Sequence, residues 1–289
     1  MELIRSAAEL RARVDVPRVD VPRSAGADVG FVPTMGAMHG GHASLIRRAR
    51  SERDLVVVSV FVNPLQFAPE EDLSRYPRDE AKDLALCESL GADLVWAPPL
   101  EEMYPPGVVL PTPDPGPVGE TLEGAARPGH FVGVLTAVHR LFDVVGPCTA
   151  YFGEKDAQQL FLIERMVQTL GLPIQIVACP TVREPDGLAL SSRNAYFGSE
   201  ERAQAACLFL ALSEAAELAR AGEHDAATLI AAMAREIGAT PLARLDYAAV
   251  VDVDTFESIR AVERPARAVV AARFPSARLI DNLRLPTAG

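Results

Sequence analysis

The sequence has 289 residues, of which 49% are hydrophobic, and a formal net charge of −11 at pH 7. A chain of this length and composition buries a large core, and we expect two domains. The acidic balance argues against a nucleic-acid partner, because that affinity comes largely from Lys and Arg side chains that neutralise phosphates. A small-molecule substrate, with any phosphate site built from a few local groups, fits the charge better.

The cysteines and the N-terminus narrow the class of protein further. The four cysteines are Cys87, Cys148, Cys179 and Cys207. They are widely spaced, which indicates buried free thiols rather than a zinc cluster or a disulfide framework. Residues 1–10 are charged from the second position, so they do not resemble a signal peptide, and we find no apolar segment of membrane-spanning length. No membrane partner is expected, and a cytoplasmic location is the default expectation.

Residues 1–180 alternate predicted strands with predicted helices. The opening residues predict an amphipathic helix, and the prolines of a short tandem echo at residues 14–23 predict a surface loop. The predicted strands are 29–33, 55–62, 93–96, 150–152 and 174–177. The predicted helices are one that begins near His42 and three at 79–90, 132–145 and 158–170. This alternation predicts a Rossmann-like, doubly wound parallel sheet that binds ligands at the carboxyl ends of its strands.

The pattern changes after Pro180. Residues 199–221 and 226–237 predict alanine-rich helices, and they are followed by predicted strands at 245–251 and 268–274. Helices followed by separate strands are typical of an α+β domain. We therefore expect a Rossmann-like domain at 1–180 and a smaller α+β C-terminal domain at 181–289. Within the first domain, the proline- and glycine-rich residues 105–119 predict a long loop, whose length favours a functional or mobile role.

Two histidines lie between the first predicted sheet strand and its helix. His39 and His42 are separated by Gly40 and Gly41, which permit close approach of the backbone to a ligand. Free amides at a helix start favour an anion, and both imidazoles can donate to phosphate oxygens. Three alternatives remain open from the pattern: a metal pair, two incidental loop histidines, and a helix cap without a ligand. The metal pair lacks the adjacent glutamate of zinc-protease helices.

A series of motifs in fixed order resembles the pantothenate synthetases, a family of the nucleotidyltransferase superfamily with a His-x-Gly-His element. The motifs are FVPTMGAMHGGH at 31–42, FVNPLQF at 61–67, EDLSRYPR at 71–78, RPGHF at 127–131, FGEKDAQQ at 152–159, LSSRN at 190–194, AAR at 271–273 and LIDN at 279–282. The resemblance spans nearly the whole chain. It departs at Gly40, where the family often has a polar or acidic residue, and at Ala157, where an aromatic residue is common. Neither departure removes a group that the chemistry requires.

The resemblance implies an ATP-dependent ligase that condenses (R)-pantoate with β-alanine through a pantoyl adenylate, with AMP and diphosphate as by-products. The implied catalytic residues are His39, His42, Lys155 and Arg193. The implied ATP-binding residues are Met35, His39, His42, Gly153, Lys155, Asp156, Val182, Ser191, Ser192 and Arg193. Lys155 would follow the α-phosphate and Arg193 the β- and γ-phosphates, where their charges suit the reaction. Taken singly, each residue is better explained by a structural role: Lys155 as a solvated lysine, Arg193 as a surface ion pair, and the serines as a cap or turn. The six donors together, in the family's order, favour the ATP site.

The implied pantoate-binding residues are Pro33, Met35, Gln66, Phe67 and Gln159. The two glutamine amides both donate and accept, which suits a substrate with hydroxyls beside a carboxylate; the alternative is that they are simply solvated. Core packing explains the three apolar residues almost as well. The implied residues around β-alanine are Asn63, Tyr76, Glu123, Arg127 and His130. Arg127 and Asn63 would orient its carboxylate and amine; alternatively, Arg127 and Glu123 form a structural ion pair.

ATP chemistry also implies Mg²⁺, held mainly through phosphates and waters. Asp83 is the nominated protein ligand, and a solvated residue on a charged helix is the alternative interpretation. The resemblance further implies a homodimer and a C-terminal domain that acts as a lid. Two other functions remain open: a nucleotidyltransferase for a phosphorylated acceptor, which should have basic groups in place of Gln66 and Gln159, and a non-catalytic nucleotide-binding module.

Overall fold

The computed structural model describes residues 1–15 and 29–286, so the loop predicted at 14–23 lies outside the described residues from position 16 onward. The chain separates into two compact units. The first consists of Met1–Glu154 and Gln158–Pro180, and the second of Lys155–Ala157 and Thr181–Gly289. The short segment Lys155–Ala157 therefore belongs with residues that follow it much later in the sequence.

The first unit contains a six-stranded parallel sheet with the strand order β1-β4-β3-β2-β5-β6. Its strands are β1 (Glu2–Ile4), β2 (Val29–Thr34), β3 (Leu55–Val60), β4 (Leu94–Trp96), β5 (Cys148–Gly153) and β6 (Ile174–Cys179). The direction of winding reverses between β2 and β5. In such sheets ligands bind beyond the carboxyl ends of the strands at this reversal. The predicted doubly wound parallel sheet is confirmed.

Helices cover both faces of this sheet. They are α1 (Ala7–Val14), α2 (Gly40–Glu52), α3 (Glu80–Ser89), α4 (Leu100–Met103), α5 (Glu123–Ala126), α6 (His130–Val145) and α7 (Ala157–Leu170). Successive residues of β2 point to opposite faces. Val32 belongs to a buried cluster with Ile46 of α2, whereas Phe31 meets Phe142 of α6 edge to face at 6.4 Å between ring centroids. A strand buried on both sides favours a nearly continuous apolar sequence, which explains the largely apolar composition of β2 and β3.

The second unit places three helices beside an antiparallel sheet of three strands in the order β7-β8-β9. Its elements are α8 (Ser199–Gln204), α9 (Cys207–Arg220), α10 (Ala226–Gly238), β7 (Arg244–Asp252), β8 (Ala266–Arg273) and β9 (Arg278–Leu285). The buried faces of α9 and α10 are rich in alanine and leucine, and they share one core with β8. The predicted α+β character is confirmed.

Several predicted boundaries were wrong. The chain opens with β1 rather than with a helix, because three residues are too few to show a period and the strand exists through its pairing with β4. The helix predicted at 199–221 is divided into α8 and α9 at Ala205 and Ala206, both of which keep right-handed helical angles, so composition gave no sign of the break. The strand β9 was not predicted, since two of its buried residues are Asp281 and Asn282.

Two further properties concern the described residues. Within residues 1–15 and 29–286, no helix is both long and apolar enough to cross a membrane. All four cysteines are buried free thiols, as the sequence indicated.

Candidate active site

The two histidines form the start of α2, in a segment that we call the histidine turn (residues 39–42). His39 is the N-cap residue, and its Nδ1 accepts a hydrogen bond from the Gly41 amide at 3.1 Å. His42 returns the interaction, since its Nδ1 accepts from the His39 amide at 3.4 Å. This reciprocal arrangement is a capping box built from two imidazoles. The helix begins at Gly40, which is exposed and lies two residues before His42, so the prediction of a helix that begins near His42 is confirmed.

The capping bonds determine which ring nitrogen carries the proton. A ring nitrogen that accepts a hydrogen bond from a backbone amide cannot itself be protonated. In both His39 and His42 the proton therefore resides on Nε2, which becomes a donor. Two such donors beside the amides of a helix start suit an anion with several oxygens, such as a phosphate. The cap that was one alternative interpretation is present, and its two hydrogen bonds are made by the Nδ1 atoms and not by Nε2.

Asp83 on α3 holds the loop that leads into the histidine turn. Its Oδ2 accepts from the Ala37 amide at 2.9 Å, and its Oδ1 accepts from the Met38 amide at 2.7 Å. The loop needs this support because Gly36 and Ala37 both have positive φ angles, of 76° and 48°. A Cβ atom at Gly36 would lie 2.8 Å from Asp83 Oδ2, so the approach requires glycine.

The placement of Asp83 corrects one interpretation of the sequence. Its side chain is not solvated: the residue is 3% exposed. Burial raises the pKa of the Asp83 carboxyl, and the hydrogen bonds from Met38 and Ala37 oppose that shift. Within the described part of the chain, no group of three or more His, Cys, Asp or Glu side chains is arranged to hold a metal ion. Magnesium ligation by Asp83 stays a prediction.

A second polar segment, which we call the Gln66 turn (residues 63–66), follows β3. It consists of Asn63 as N-cap and a 3₁₀ turn over Pro64–Gln66. The Gln66 amide nitrogen donates to Met35 Sδ at 2.9 Å, which brings together two of the residues expected to bind pantoate.

The apolar residues expected near pantoate lie at the ends of the same two strands. Pro33 is the partly exposed penultimate residue of β2. Phe67 follows the Gln66 turn and meets the buried ring of Tyr76 edge to face, with centroids 6.0 Å apart. The carboxyl ends of β2 and β3 are adjacent, so these residues lie at one edge of the sheet.

Asn63, the first residue of the Gln66 turn, is 2% exposed. Its Oδ1 accepts from the Leu65 amide at 3.1 Å and from the Tyr104 hydroxyl at 2.7 Å. Its Nδ2 donates to the Gly133 carbonyl at 3.0 Å and to Gln66 Oε1 at 3.1 Å. An asparagine amide has two donor hydrogens and two acceptor lone pairs, and all four are used here. Asn63 therefore supports Gln66.

Helix α6 packs closely against this turn. A Cβ atom at Gly133 would lie 2.0 Å from the Leu65 carbonyl oxygen, a distance that no side chain tolerates. Glycine at this position thus allows the backbone of α6 to reach Asn63, and any larger residue would separate them.

Arg127 forms a two-pronged ion pair with Glu71. Its Nε lies 2.5 Å from Glu71 Oε1 and its Nη2 lies 2.8 Å from Oε2. Burial disfavours the charged form of Glu71, but the hydrogen bonds and charge of Arg127 outweigh that effect and lower the pKa of the carboxyl. The sequence had suggested Glu123 as the structural partner. The structure places Glu123 at the start of α5, buried, with its amide donating to Gln158 Oε1 at 3.1 Å.

His130 connects Arg127 to the main chain of Gln66. Its Nδ1 lies 2.9 Å from the Gln66 carbonyl oxygen, which can only accept, so Nδ1 carries the proton. Its Nε2 then accepts from Arg127 Nη1 at 3.0 Å. Burial and the charge of Arg127 lower the pKa of His130 to about 4, so the ring is neutral at pH 7. The backbone of Gln66 is thereby fixed as firmly as its side chain.

Two expected residues lie near the end of the first unit's β5. Gly153 is the last residue of β5 and pairs with Cys179 of β6. Gln159 lies on α7 and is partly exposed. Its neighbour Gln158 is buried and donates to the carbonyls of Val118 and Thr121 at 2.8 and 2.9 Å, which identifies it as a structural residue.

The remaining expected residues belong to the second unit. Lys155 Nζ lies 3.6 Å from Asp156 Oδ1, and the Lys155 carbonyl accepts from Asn282 Nδ2 at 2.8 Å. Asn282 Oδ1 in turn accepts from Arg267, which is buried. The LIDN motif of β9 thus supports the main chain of a residue expected to contact ATP.

Ser191 caps a 3₁₀ turn over Ser192–Tyr196, with its Oγ accepting from the Arg193 amide at 3.3 Å. The cap proposed as the alternative role for this serine is therefore present. The Val182 carbonyl accepts from the Leu190 amide at 2.9 Å, so this segment runs beside the turn. Ser191, Ser192 and Arg193 are all partly exposed.

Sequence reasoning missed Tyr104, Gly133 and the partner of Arg127. Tyr104 lies 41 residues from Asn63, and nothing local in the sequence links them. Glu71 stands inside the EDLSRYPR motif, which was the one available signal that it serves the site.

Comparison with known proteins agrees with the motif order. The family described as pantoate-beta-alanine ligase matches residues 2–284. A pantothenate synthetase of Roseiflexus sp. (strain RS-1) is 54% identical over 253 residues, covering 88% of this chain and 91% of the relative. The crystal structure of the pantothenate synthetase from Thermus thermophilus matches with a TM-score of 0.91 and 49% identity, covering 99% of this chain and 100% of that chain.

A third protein was solved with small molecules bound. It is the pantoate-beta-alanine ligase from Francisella tularensis, complexed with beta-gamma ATP and beta-alanine, with a TM-score of 0.76 and 32% identity over 98% of this chain and 97% of that chain. Together, the order of the motifs, the histidine turn and these matches show that the chain belongs to the pantoate-beta-alanine ligase family of enzymes.

Proposed function

We propose that the protein condenses (R)-pantoate with β-alanine in an ATP-dependent reaction that passes through a pantoyl adenylate and releases AMP and diphosphate. One observation carries the proposal: a helix start capped by two imidazoles and an oriented amide donor follow the adjacent strands β2 and β3. The first suits the phosphates of ATP, and the second suits the oxygens of pantoate.

In the first step, a carboxylate oxygen of pantoate attacks the α-phosphorus of ATP and the bond to the β-phosphate oxygen breaks, releasing diphosphate. Negative charge accumulates on the α-phosphate oxygens. The Nε2 donors of His39 and His42 suit this charge, because fixed donors stabilise a transition state without reorganising. Lys155 and Arg193 are assigned to the α-phosphate and to the β- and γ-phosphates on the strength of their family motifs. The remaining nucleotide contacts are assigned on the same basis to Met35, Gly153, Asp156, Ser191 and Ser192. Val182, which lies outside the motifs, is assigned to ATP from the overall resemblance alone.

In the second step, the β-alanine amine attacks the acyl carbon of the adenylate, the bond between that carbon and the phosphate oxygen breaks, AMP leaves, and the proton lost by the nitrogen passes to solvent. Among the described residues near the Gln66 turn, none is an evident base for the amine, so positioning supplies most of the rate. A β-alanine carboxylate that binds Arg127 must share it with Glu71. Asn63, whose four hydrogen bonds are filled, acts by supporting Gln66.

The bound molecules of the Francisella tularensis relative support ATP and β-alanine as substrates for this chain too. Mg²⁺ would enter with the phosphates and be held mainly through phosphate oxygens and waters, with Asp83 as the predicted protein ligand. The uncharged amide at Gln66, where a phosphorylated acceptor would need a basic group, favours pantoate over the acceptors of other nucleotidyltransferases. A homodimer and a lid role for residues 181–289 are carried over as part of the same proposal.

Pantoate-dependent exchange of labelled diphosphate into ATP tests the first step in isolation. His42→Ala and Lys155→Ala should abolish exchange while the circular dichroism spectrum is unchanged. Matched controls are His139→Ala and Lys82→Ala, the latter at the only other lysine of the sequence. Normal exchange in both site variants would contradict the site assignment. An unmodified protein that binds ATP without exchange would be a non-catalytic nucleotide-binding module.

A further inference from the structure

The orientation of the Asn63 amide follows from two backbone groups. The Leu65 N–H can only donate, so the Asn63 atom 3.1 Å away must be the oxygen. The Gly133 carbonyl can only accept, so the atom 3.0 Å from it must be the nitrogen. The two ends of a side-chain amide are hard to tell apart by shape alone, but these two neighbours allow only one assignment.

The orientation of Gln66 follows from that of Asn63. Asn63 Nδ2 faces one end of the Gln66 amide at 3.1 Å, and because Nδ2 donates, that end must be the oxygen. The nitrogen of Gln66 is therefore the other end, where its contact is Met35 Sδ. A thioether is a weak acceptor, so a substrate oxygen competes with it easily. Gln66 thus presents a donor, and not an acceptor, to pantoate.

Tyr104 completes this chain of hydrogen bonds. It lies directly after α4, and its hydroxyl donates to Asn63 Oδ1 at 2.7 Å. Its ring meets Phe61 edge to face at 5.9 Å, which fixes the position of the hydroxyl. Burial raises the pKa of Tyr104 well above its ordinary value, so the hydroxyl stays protonated and remains a donor. Without it, the buried Asn63 oxygen would lack its second partner.

We propose that Tyr104 is a positioning residue for pantoate, which acts through Asn63 to keep the Gln66 amide turned with its nitrogen toward the substrate. The assignment rests on the proposed function, because it names the substrate that Gln66 receives. Tyr104 touches neither the reacting atoms nor the Met35 sulfur in this scheme. Its effect should therefore reach pantoate alone among the three substrates.

The first experiment compares Tyr104→Phe with the unmodified enzyme. The variant should lower kcat/KM for pantoate about fivefold, the ratio that corresponds to the ~1 kcal/mol of one neutral hydrogen bond. The Michaelis constants for ATP and β-alanine should be unchanged. Tyr151→Phe is the matched control, since the Tyr151 hydroxyl donates to Glu52 at 2.8 Å elsewhere in the same unit. The Tyr151→Phe variant should have the same unfolding midpoint as Tyr104→Phe. Its kcat/KM for pantoate should equal that of the unmodified enzyme.

A double-mutant cycle tests whether Tyr104 acts through Gln66. Gln66→Ala should weaken pantoate far more than ATP, and in that background Tyr104→Phe should have no further effect on kcat/KM for pantoate. If the double variant instead lowers kcat/KM for pantoate by the product of the two single effects, Tyr104 acts independently of Gln66. That result would overturn the assignment. An unchanged kcat/KM in an active Tyr104→Phe enzyme, or a parallel loss for all three substrates, would also overturn it. An unmodified enzyme without ligase activity would overturn the proposed function, and this assignment with it.

Discussion

The histidine turn and the Gln66 turn follow neighbouring strands, yet they are held in opposite ways. In the histidine turn, the side chains expected to meet the ligand also hold the backbone, since one nitrogen of each ring caps α2. In the Gln66 turn, Asn63, His130 and α6 do the holding, and the Gln66 nitrogen is left with a weak acceptor. In the histidine turn, the same side chains stabilise the backbone and are expected to bind the ligand. In the Gln66 turn, different residues have these two roles.

The two roles of the histidines, capping α2 and donating to the ligand, can be separated by substituting residues that cap a helix but lack an imidazole. Asparagine is a good N-cap and glutamine completes a capping box, so His39→Asn and His42→Gln should unfold at nearly the same urea concentration as the unmodified protein. Both should reduce diphosphate exchange by about 10²–10³-fold, the usual cost of removing one donor to a developing charge.

The matched variant is His39→Ala, which removes the cap as well. It should lose about 1 kcal/mol of stability relative to His39→Asn. If His39→Asn and His42→Gln both retain full exchange, the imidazoles only cap the helix. The histidine turn would then not combine capping with ligand binding.

The free energy of unfolding should decrease as the pH falls, because the Gln66 turn is supported by a buried neutral histidine. The pKa of His130 is about 4 in the folded protein, below the ordinary value of 6.5. Between these values the unfolded chain binds a proton that the folded chain does not, so stability is complete above pH 6.5 and declines as pH falls toward 4. The total loss should be on the order of 3 kcal/mol.

Urea unfolding at pH 7.5, 6, 5 and 4 measures this loss. His130→Asn provides the comparison, since the difference between the two pH profiles isolates one histidine from the other titrating groups. The charges that face His130 are those of Arg127, Glu123 and Glu71. Parallel profiles for the two proteins would contradict the prediction.

The smallest of these effects concerns the loop before the histidine turn. In Asp83→Asn one carboxylate oxygen becomes an NH₂ group, which cannot accept from Ala37 or Met38. We expect a stability loss of about 2 kcal/mol, typical of a hydrogen bond to a charged group. Asp79→Asn is the control on the same helix, because asparagine replaces aspartate well as the N-cap of α3.

A magnesium titration of the same Asp83→Asn variant separates two roles. If Asp83 positions the loop, the Mg²⁺ concentration for half-maximal activity stays the same while kcat falls. A marked rise in that concentration would support the metal-ligand role predicted from the sequence.

The sequence predicted those parts of the molecule whose signal is local. The strands β2 and β3 are largely apolar, and His39 and His42 lie where a strand is followed by a helix. Features that depend on distant partners were missed. The three residues of β1 form a strand only through β4, and Tyr104 and Asp83 act on residues 41 and 45 or more positions away. The roles of Lys155 and Arg193 came from family motifs, and they stay predictions.

The hydrogen bond from Asn282 to the Lys155 carbonyl spans 127 positions of the sequence. During synthesis on the ribosome, the strands of the first unit are all made before β9 exists. The hydrogen bond that Asn282 donates to the Lys155 carbonyl can form only after Asn282 has left the exit tunnel. A growing chain can therefore complete its parallel sheet early, while the segment expected to contact the α-phosphate of ATP still awaits its anchor.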